Sequence, residues 1–359
     1  MLPYFNQHFG NPSSNNHAFG WIAADAVQQA RQQVAHLINA IEQEIIFTSG
    51  ATEAINLAIK GVYNNYQLKG QHIVAIATEH LAVLNTCKAL ENRGAKVTYL
   101  PVTTAGEINL QMLADSIDDR TILVCAMFAN NETGVILPVK EIATIVHAKK
   151  SIFMCDATQA LGKIPVDVIE IGIDLLAISA HKIYGPKGVG ALYVRRKNPR
   201  VSLIPQIDGG NQERSLRSGT LNVPGIVGFG KACEIAKTEM QEDAHKILSL
   251  RIKLEQALLS SANTSLNGSI NNRLPNTCNI SFANSNATEF IKANPKIAVT
   301  SSSACSSAFT RSSHVLHAMG KGDQQAENAI RFSLGKFTTT EEIEATIKSI
   351  KAHLLESNK

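Results

Sequence analysis

The stretch IDLLAISAHKIYGPKG at residues 173–188 joins an apolar run to a turn that carries a histidine and a lysine. The length and β-branched content of Ile173–Ser179 predict a buried strand, which places His181 and Lys182 at its carboxyl end. Ligands of open α/β sheets bind outside the carboxyl ends of the strands. Lys182 is therefore a candidate functional residue, although a surface lysine entering a Gly/Pro turn is ordinary when considered alone.

Strand-like and helix-like segments alternate on both sides of this stretch. Short apolar runs end in turns, and segments with helical spacing of apolar residues follow them. This alternation predicts an α/β fold whose mainly parallel sheet is covered by helices on both faces. The segments in which strands are expected are EIIFTSGATEAINLAIKGV, HIVAIATEH, KVTYLPV, TILVCAMFANNETG, IFMCDATQALG, IDLLAISAHK and GVGALYVRR.

The pattern changes near residue 240. A long, charged amphipathic helix is predicted to begin near Glu239, and the runs TCNISFA and AIRFSLG are typical of strands of a smaller α+β domain. No internal repeat or long linker marks the boundary. We therefore expect a large domain at residues 1–240 and a small C-terminal domain at residues 241–359.

Composition excludes several classes of protein. The 359 residues are 44% hydrophobic and 18% charged, as in soluble globular proteins. The net charge of +4 is spread along the chain, so we expect no direct nucleic-acid binding. Without an apolar run of membrane-spanning length or a signal-peptide pattern, we expect no membrane association and a cytoplasmic location. The six cysteines form no CxxC pair, which predicts reduced thiols and no metal site.

Polar groups follow several of the predicted strands. The turn SGATEA at residues 49–54 leads into a helix, whose first backbone N–H groups, with the Thr52 hydroxyl, could hold a phosphate. His80, Asn131 and Asp156 each follow a strand, as Lys182 does. Each of these residues alone is more often a helix cap or a satisfied core group. Together they supply the phosphate donors, stacking ring, carboxylate and amine that pyridoxal 5′-phosphate requires.

The ordered motifs resemble those of cysteine desulfurases of the NifS/IscS type, within the class V aminotransferase family. The resemblance extends over nearly the whole chain. It implies the fold of type I pyridoxal-phosphate enzymes, with a seven-stranded sheet, and a homodimer that acts on L-cysteine. The motifs are FGNPSSNNHAFG, FTSGATEAINLAIKG, TEH, NNETGV, DATQALGK, SAHKIYGPKGVGALYVRR, RSGTLNVPGIVGFG, SSSACSS and IRFSLGKFTT.

Carried over by motif, the resemblance assigns a role to each candidate residue. Lys182 would bind the cofactor covalently, and Asp156 would hold the protonated pyridine nitrogen. His80 would stack on the ring and shuttle protons, and Arg331 would bind the substrate carboxylate; the alternative for an arginine in such a strand is a structural ion pair. Gln159 and Asn131 would lie near the ring oxygen of the cofactor. The residues that would bind its phosphate are Ala51, Thr52, Ser179, His181 and Thr220. Thr220 would come from the other subunit.

Cys305 decides between subfamilies. It lies in TSSSACSSAFTRSSH, a run of small and polar residues that is unusual for a packing cysteine. The run resembles the long loop of one desulfurase group, in which a mobile loop carries the nucleophile. The resemblance implies that the Cys305 thiolate attacks the substrate sulfur while Lys182 moves the α-proton. Alanine and a Cys305 persulfide would result, and an acceptor protein would take the sulfur.

The two ends of the chain differ from those of the family. Relatives carry a strand-like segment, approximately YLDNAATTP, upstream of FGNP, whereas this sequence starts inside the following helix. It stops at KAHLLESNK, without the longer tail with which desulfurases of iron-sulfur cluster assembly dock a scaffold protein. The resemblance therefore favours slightly a specialised sulfur donor for DNA phosphorothioate modification or tRNA thiolation.

Two other functions remain open at this point. The first is a selenocysteine lyase or another class V aminotransferase, against which Cys305 argues because transamination has no use for it. The second is a desulfurase-like scaffold subunit without catalytic activity. Retention of the cofactor would distinguish the scaffold, since a scaffold need not bind it.

Overall fold

The computed structural model describes residues 1–283, 285–301 and 312–357, and the chain divides into two compact units. The first unit comprises Met1–Leu100, Leu110–Phe128 and Pro138–Met240. The second comprises Pro101–Asn109, Ala129–Leu137 and Gln241–Lys359. The segment 129–137 belongs to the second unit because its backbone is paired there: the Ile136 N–H donates to the Asn272 carbonyl at 2.9 Å, and Val135 forms a β-bridge with Arg273.

A seven-stranded sheet forms the centre of the first unit. Its strand order is β1-β7-β6-β5-β4-β2-β3. The pairs from β6 through β5, β4 and β2 to β3 are parallel, whereas β7 is antiparallel to both β6 and β1. The strands are β1 (Ile45–Thr48), β2 (His72–Ile76), β3 (Lys96–Leu100), β4 (Thr121–Cys125), β5 (Ile152–Asp156), β6 (Leu175–Ser179) and β7 (Gly190–Val194).

Helices connect these strands and cover the sheet. The central strands β2, β4 and β6 are buried at every residue, as expected for parallel strands covered on both faces. Alanines and branched residues of α3 pack on them, including Ala54, Ala58 and Val62. The helices are α1 (Pro3–Asn6), α2 (Ala18–Leu37), α3 (Ala51–Tyr66), α4 (Leu81–Glu91), α5 (Leu110–Ser116), α6 (Val139–Ala148), α7 (Val168–Ile171) and α8 (Val223–Leu259). The predicted α/β fold with a mainly parallel sheet is confirmed.

Helix α8 begins earlier than expected. The amphipathic pattern predicted a start near Glu239, but the helix begins at Val223. The segment VPGIVGFG contains three glycines, which lower helix propensity and hide the helical pattern. Burial of Ile226, Phe229 and Cys233 on one face stabilises the helix despite them.

An antiparallel sheet of four strands organises the second unit, in the order β10-β11-β9-β8. Strand β9 is buried at all six residues. Its apolar side chains form a core with residues of α8 and the later helices, among them Leu254, Phe290 and Ile343. The elements are β8 (Thr264–Leu266), β9 (Thr277–Phe282), α9 (Ala287–Ala293), β10 (Thr300–Ser301), α10 (His314–Ala318), α11 (Asp323–Glu327), β11 (Ala329–Ser333) and α12 (Thr340–Ser357).

The described part of the chain was also compared with the expectations for cysteines, metal sites and membrane spans. Its cysteines, which are Cys87, Cys125, Cys155, Cys233 and Cys278, are buried and form no disulfide. Over the same residues, no three His, Cys, Asp or Glu side chains are grouped so that they could hold a metal ion. None of the helices described there combines the length and apolar character needed to cross a membrane.

Candidate functional site

Three predicted site residues lie at the carboxyl edge of the seven-stranded sheet. Asp156 is the last residue of β5, and Lys182 lies in the 3₁₀ turn that follows the neighbouring strand β6. His80 precedes α4, shortly after β2 ends. Because β2, β4, β5 and β6 run parallel, their carboxyl ends share one edge.

Asp156 is a buried acidic residue at this edge. Its side chain is nearly inaccessible, and its Oδ1 accepts the Thr158 N–H at 2.9 Å. Burial raises the pKa of Asp156, while the positive charges of His80 and Lys182 act in the opposite direction. The Asp156 carboxylate therefore lies within electrostatic range of both His80 and Lys182, and a cationic group of a ligand would stabilise it further.

Lys182 is exposed at the end of a tightly folded turn. The turn closes through the Gly185 N–H, which donates to the Ala180 carbonyl at 3.0 Å. A Cβ at Gly185 would lie 2.9 Å from that carbonyl oxygen, so this close approach requires glycine. The turn fixes the backbone at Lys182, and the residue is exposed.

His80 is the N-cap of α4. Its Nδ1 accepts the Ala82 N–H at 3.1 Å, and the ring is exposed. Because Nδ1 accepts this bond, the neutral ring carries its proton on Nε2. The cap fixes the orientation of the ring, which suits it to stacking on a planar ligand.

The first turn of α3 has the features of a phosphate cradle. Its N-cap is Gly50, which provides no side-chain acceptor, so the first N–H groups of this 16-residue helix are open to an anion. Gly190 allows β7 to approach this turn, since a Cβ there would lie 2.7 Å from the Gly50 Cα. Beside it, Ser179 Oγ and His181 Nδ1 are 3.0 Å apart. Burial and the charges of Lys182 and Lys187 lower the pKa of His181.

These groups fit pyridoxal 5′-phosphate. The edge provides an exposed amine in Lys182 and a buried carboxylate in Asp156, with an uncapped helix terminus for a phosphate. Ala51 and Thr52 are the first two residues of α3, and Gln159 lies in the turn after β5. The cofactor-binding roles of these residues stay predictions.

Arg331 and Asn131 lie in the second unit and are in contact with each other. Arg331 Nη1 donates to the Asn131 carbonyl at 3.0 Å, and Nη2 lies 3.4 Å from Thr300 Oγ1. The buried Nε has no hydrogen-bond partner in the described part of the chain. Its hydrogen-bond acceptors are neutral oxygens, and its positive charge opposes the rise in the pKa of Glu132 that burial causes, so Glu132 lies within electrostatic range of the guanidinium.

The two remaining predictions concern loops. Thr220 is exposed at the end of the loop that precedes α8. Cys305 lies outside the described residues, so its role as nucleophile stays a prediction from the sequence.

Sequence reasoning missed two charged residues near this edge. Glu79 is fully buried beside His80, and its Oε1 accepts the Met127 N–H at 2.6 Å, which ties the end of β2 to the end of β4. Lys163 Nζ donates to the Gln159 carbonyl at 2.8 Å. Their positions within TEH and DATQALGK were the available signal, because each motif lies at the carboxyl end of a strand and contains a predicted site residue.

Comparison with known proteins gives consistent matches. The aminotransferase class-V family model matches residues 1–346. A cysteine desulfurase IscS from Anaeromyxobacter sp. (strain Fw109-5) is 50% identical over 351 residues, covering 98% of this chain and 87% of the relative. A solved NifS-like protein has a TM-score of 0.92 and 38% identity, covering 99% of this chain and 94% of its own. The structure of SspA in complex with cysteine has a TM-score of 0.81 and 35% identity, covering 94% of each chain.

Proposed function

Because this chain belongs to the class V aminotransferase family and, within it, to the cysteine desulfurases of the NifS/IscS type, we propose that it removes sulfur from L-cysteine and releases L-alanine. Its cofactor is pyridoxal 5′-phosphate. The relatives favour this activity over that of a selenocysteine lyase or an aminotransferase for another small amino acid.

The observation that carries the proposal is the grouping of Lys182, Asp156 and His80 at one edge of the sheet. When bound, pyridoxal phosphate supplies a ring that withdraws electrons from the substrate α-carbon. Asp156 keeps the pyridine nitrogen protonated through its negative charge. His80 fixes the plane of the ring by stacking.

Lys182 has two tasks. Its amine would hold the cofactor and, when a substrate amine replaces it there, would accept the α-proton and return it. Both tasks require an accessible side chain on a fixed backbone, which the exposed position in the 3₁₀ turn supports.

Arg331 binds the substrate carboxylate. In the described residues, its guanidinium is hydrogen-bonded to neutral oxygens. A substrate carboxylate would offer it two negatively charged acceptor oxygens side by side. A lysine would offer a point charge without the planar pair of N–H donors.

Cys305 receives the sulfur. Its thiolate forms a bond to the substrate sulfur while the carbon–sulfur bond of the substrate breaks. The electron pair of that bond stays with the substrate carbon, which takes up a proton, so alanine leaves and a persulfide remains on Cys305. An acceptor protein then takes the sulfur, for iron-sulfur cluster assembly, tRNA thiolation or DNA phosphorothioate modification.

The enzyme acts as a homodimer in this proposal, and the exposed Thr220 reaches the phosphate of the other subunit. We place it in the cytoplasm. The large domain carries the cofactor, and the small C-terminal domain carries the segment with Cys305.

Absorbance and mass spectrometry test the proposal. Lys182→Ala is expected to lose the visible absorbance of the lysine-bound cofactor, whereas Lys187→Ala, an exposed lysine of the same loop, should keep it. Cys305→Ala should retain the absorbance and form no protein persulfide when L-cysteine is added. Unchanged absorbance in Lys182→Ala would refute the lysine assignment, and a persulfide in Cys305→Ala would refute the nucleophile.

A further inference from the structure

Arg217 and Glu53 form an ion pair beside the phosphate cradle. Arg217 Nε donates to Glu53 Oε1 at 2.8 Å, and Nη2 lies 3.4 Å from Oε2. The two side chains are only 23% and 18% exposed. The pair joins the loop before α8 to the first turn of α3, although the residues are 164 positions apart in the sequence.

Glu53 lies in the first turn of α3, the candidate phosphate cradle. It is the third residue of α3, and its Oε2 accepts the Ser49 N–H at 2.8 Å. Burial raises the pKa of Glu53, but the bonds from Arg217 and from the Ser49 N–H lower it below its ordinary value, so the carboxylate is ionised at neutral pH. An ionised carboxylate at a helix N-terminus partly neutralises the positive potential there and repels a second anion.

Arg217 cancels that repulsion. Its positive charge lies against the carboxylate, so the pair is neutral and the potential of the helix terminus remains available to a ligand. A doubly charged phosphate group is more sensitive to this balance than a neutral ligand.

The loop that carries Arg217 is held in place by other contacts. Glu213 forms a bidentate salt bridge with the buried Arg31, at 2.7 and 2.6 Å, and accepts the Phe47 N–H at 2.7 Å. The Ser218 hydroxyl donates to the Gly210 carbonyl at 2.7 Å. Because these bonds fix the loop without Arg217, the position of Arg217 is better explained by the charge that it brings to α3.

We propose that Arg217 is a positioning residue that balances the charge of Glu53, so that the first turn of α3 can accept the phosphate group of the cofactor. This inference rests on the proposed function. It assigns to Arg217 a role in recognising the phosphate group itself, separate from any contact with the pyridine ring.

Binding to the cofactor-free 359-residue chain tests the inference. The variants are Arg217→Met, Arg217→Lys, Glu53→Gln and the double variant Glu53→Gln with Arg217→Met. The ligands are inorganic phosphate, pyridoxal phosphate and pyridoxal, which has the same ring without the phosphate. Isothermal calorimetry gives each affinity, and circular dichroism checks that each variant is folded.

Charge balance predicts a specific order of affinities. Arg217→Met should bind phosphate and pyridoxal phosphate about tenfold more weakly, which corresponds to about 1.4 kcal/mol. Arg217→Lys and Glu53→Gln should bind them within about threefold of the unaltered protein, and the double variant should recover most of the loss. Pyridoxal affinity should not change in any variant.

Two results would overturn the inference. If Glu53→Gln weakens phosphate binding as much as Arg217→Met and the double variant recovers nothing, the pair is a structural clamp. If pyridoxal affinity falls as far as that of pyridoxal phosphate, Arg217 does not act on the phosphate. Failure of the proposed function can be distinguished from failure of this inference. If the proposed function is wrong, the protein gains no visible absorbance with pyridoxal phosphate. The affinities for inorganic phosphate then still test the charge balance between Arg217 and Glu53.

Discussion

The surroundings of Lys163 lower the pKa of its amine, and this shift can be tested by experiment. Burial and the positive charge of Lys182 lower its pKa from the ordinary lysine range to about 7. Its Nζ donates to the Gln159 carbonyl at 2.8 Å, a bond that either protonation state can form. Lys163 therefore titrates near neutral pH at the edge that carries the candidate site.

The pKa of Lys163 predicts how the free energy of unfolding changes with pH. Between about pH 7 and pH 10 the unfolded chain keeps the proton of this lysine and the folded protein does not. Stability contributed by this group therefore rises with pH across that range. Lys163→Met should show a smaller gain in unfolding free energy between pH 7 and pH 9 than the unaltered protein, measured by urea denaturation.

A matched variant controls for the loss of a lysine. Lys187→Met removes an exposed lysine of the neighbouring loop and should keep the original pH dependence. Equal pH dependence in Lys163→Met and the unaltered protein would show that Lys163 does not titrate in this range.

At the scale of elements, the loop before α8 has an unusual backbone. Three successive residues that are not glycine, namely Glu213, Arg214 and Ser215, have φ of 46°, 57° and 62°. Residues with a side chain rarely adopt this left-handed conformation, which costs about 1–2 kcal/mol for each such residue. The Glu213–Arg31 salt bridge holds the segment in this conformation.

Ser215→Gly should therefore stabilise the protein. Glycine removes the cost of positive φ but adds about 0.5–1 kcal/mol of backbone entropy to the unfolded chain, so we expect a net gain of about 0.5 kcal/mol. Ser202→Gly, at an exposed serine without positive φ, should lose about 0.5–1 kcal/mol. Urea denaturation measures both, and a loss in Ser215→Gly equal to that in Ser202→Gly would show that the left-handed backbone stores no strain.

The elements differed in how well the sequence predicted them. The strands of the first sheet were predicted because burial on both faces demands continuous apolar runs, as in LLAIS at 175–179. The start of α8 was predicted wrongly, since packing of Phe229 and its neighbours outweighs the low helix propensity of the glycines around it.

At the scale of the whole molecule, the sequence predicted candidate site residues after strands, and it missed contacts that depend on the tertiary fold. The carboxyl-end rule for parallel sheets selects Lys182, Asp156 and His80 as candidates, and the structure places them at one edge of the sheet, while their roles stay predictions. The Arg217–Glu53 pair could not be predicted, because it joins segments 164 residues apart and neither residue follows a strand directly. Cys305 was predicted from local composition, and it lies outside the described residues.

The division into two units also limits what the sequence could predict. A change of pattern near residue 240 was visible, and the first unit ends at Met240. The assignment of Pro101–Asn109 and Ala129–Leu137 to the second unit was not visible, because it depends on backbone pairing of distant segments such as that of Ile136 with Asn272.

Alanine release from L-cysteine tests the central claim most directly. The purified chain is mixed with pyridoxal phosphate, L-cysteine and a thiol reductant, and alanine and sulfide are measured together, with Lys182→Ala as the control. We predict equimolar alanine and sulfide from the unaltered chain and neither product from Lys182→Ala. A chain that shows the absorbance of bound cofactor but releases no alanine would contradict the assignment as a cysteine desulfurase.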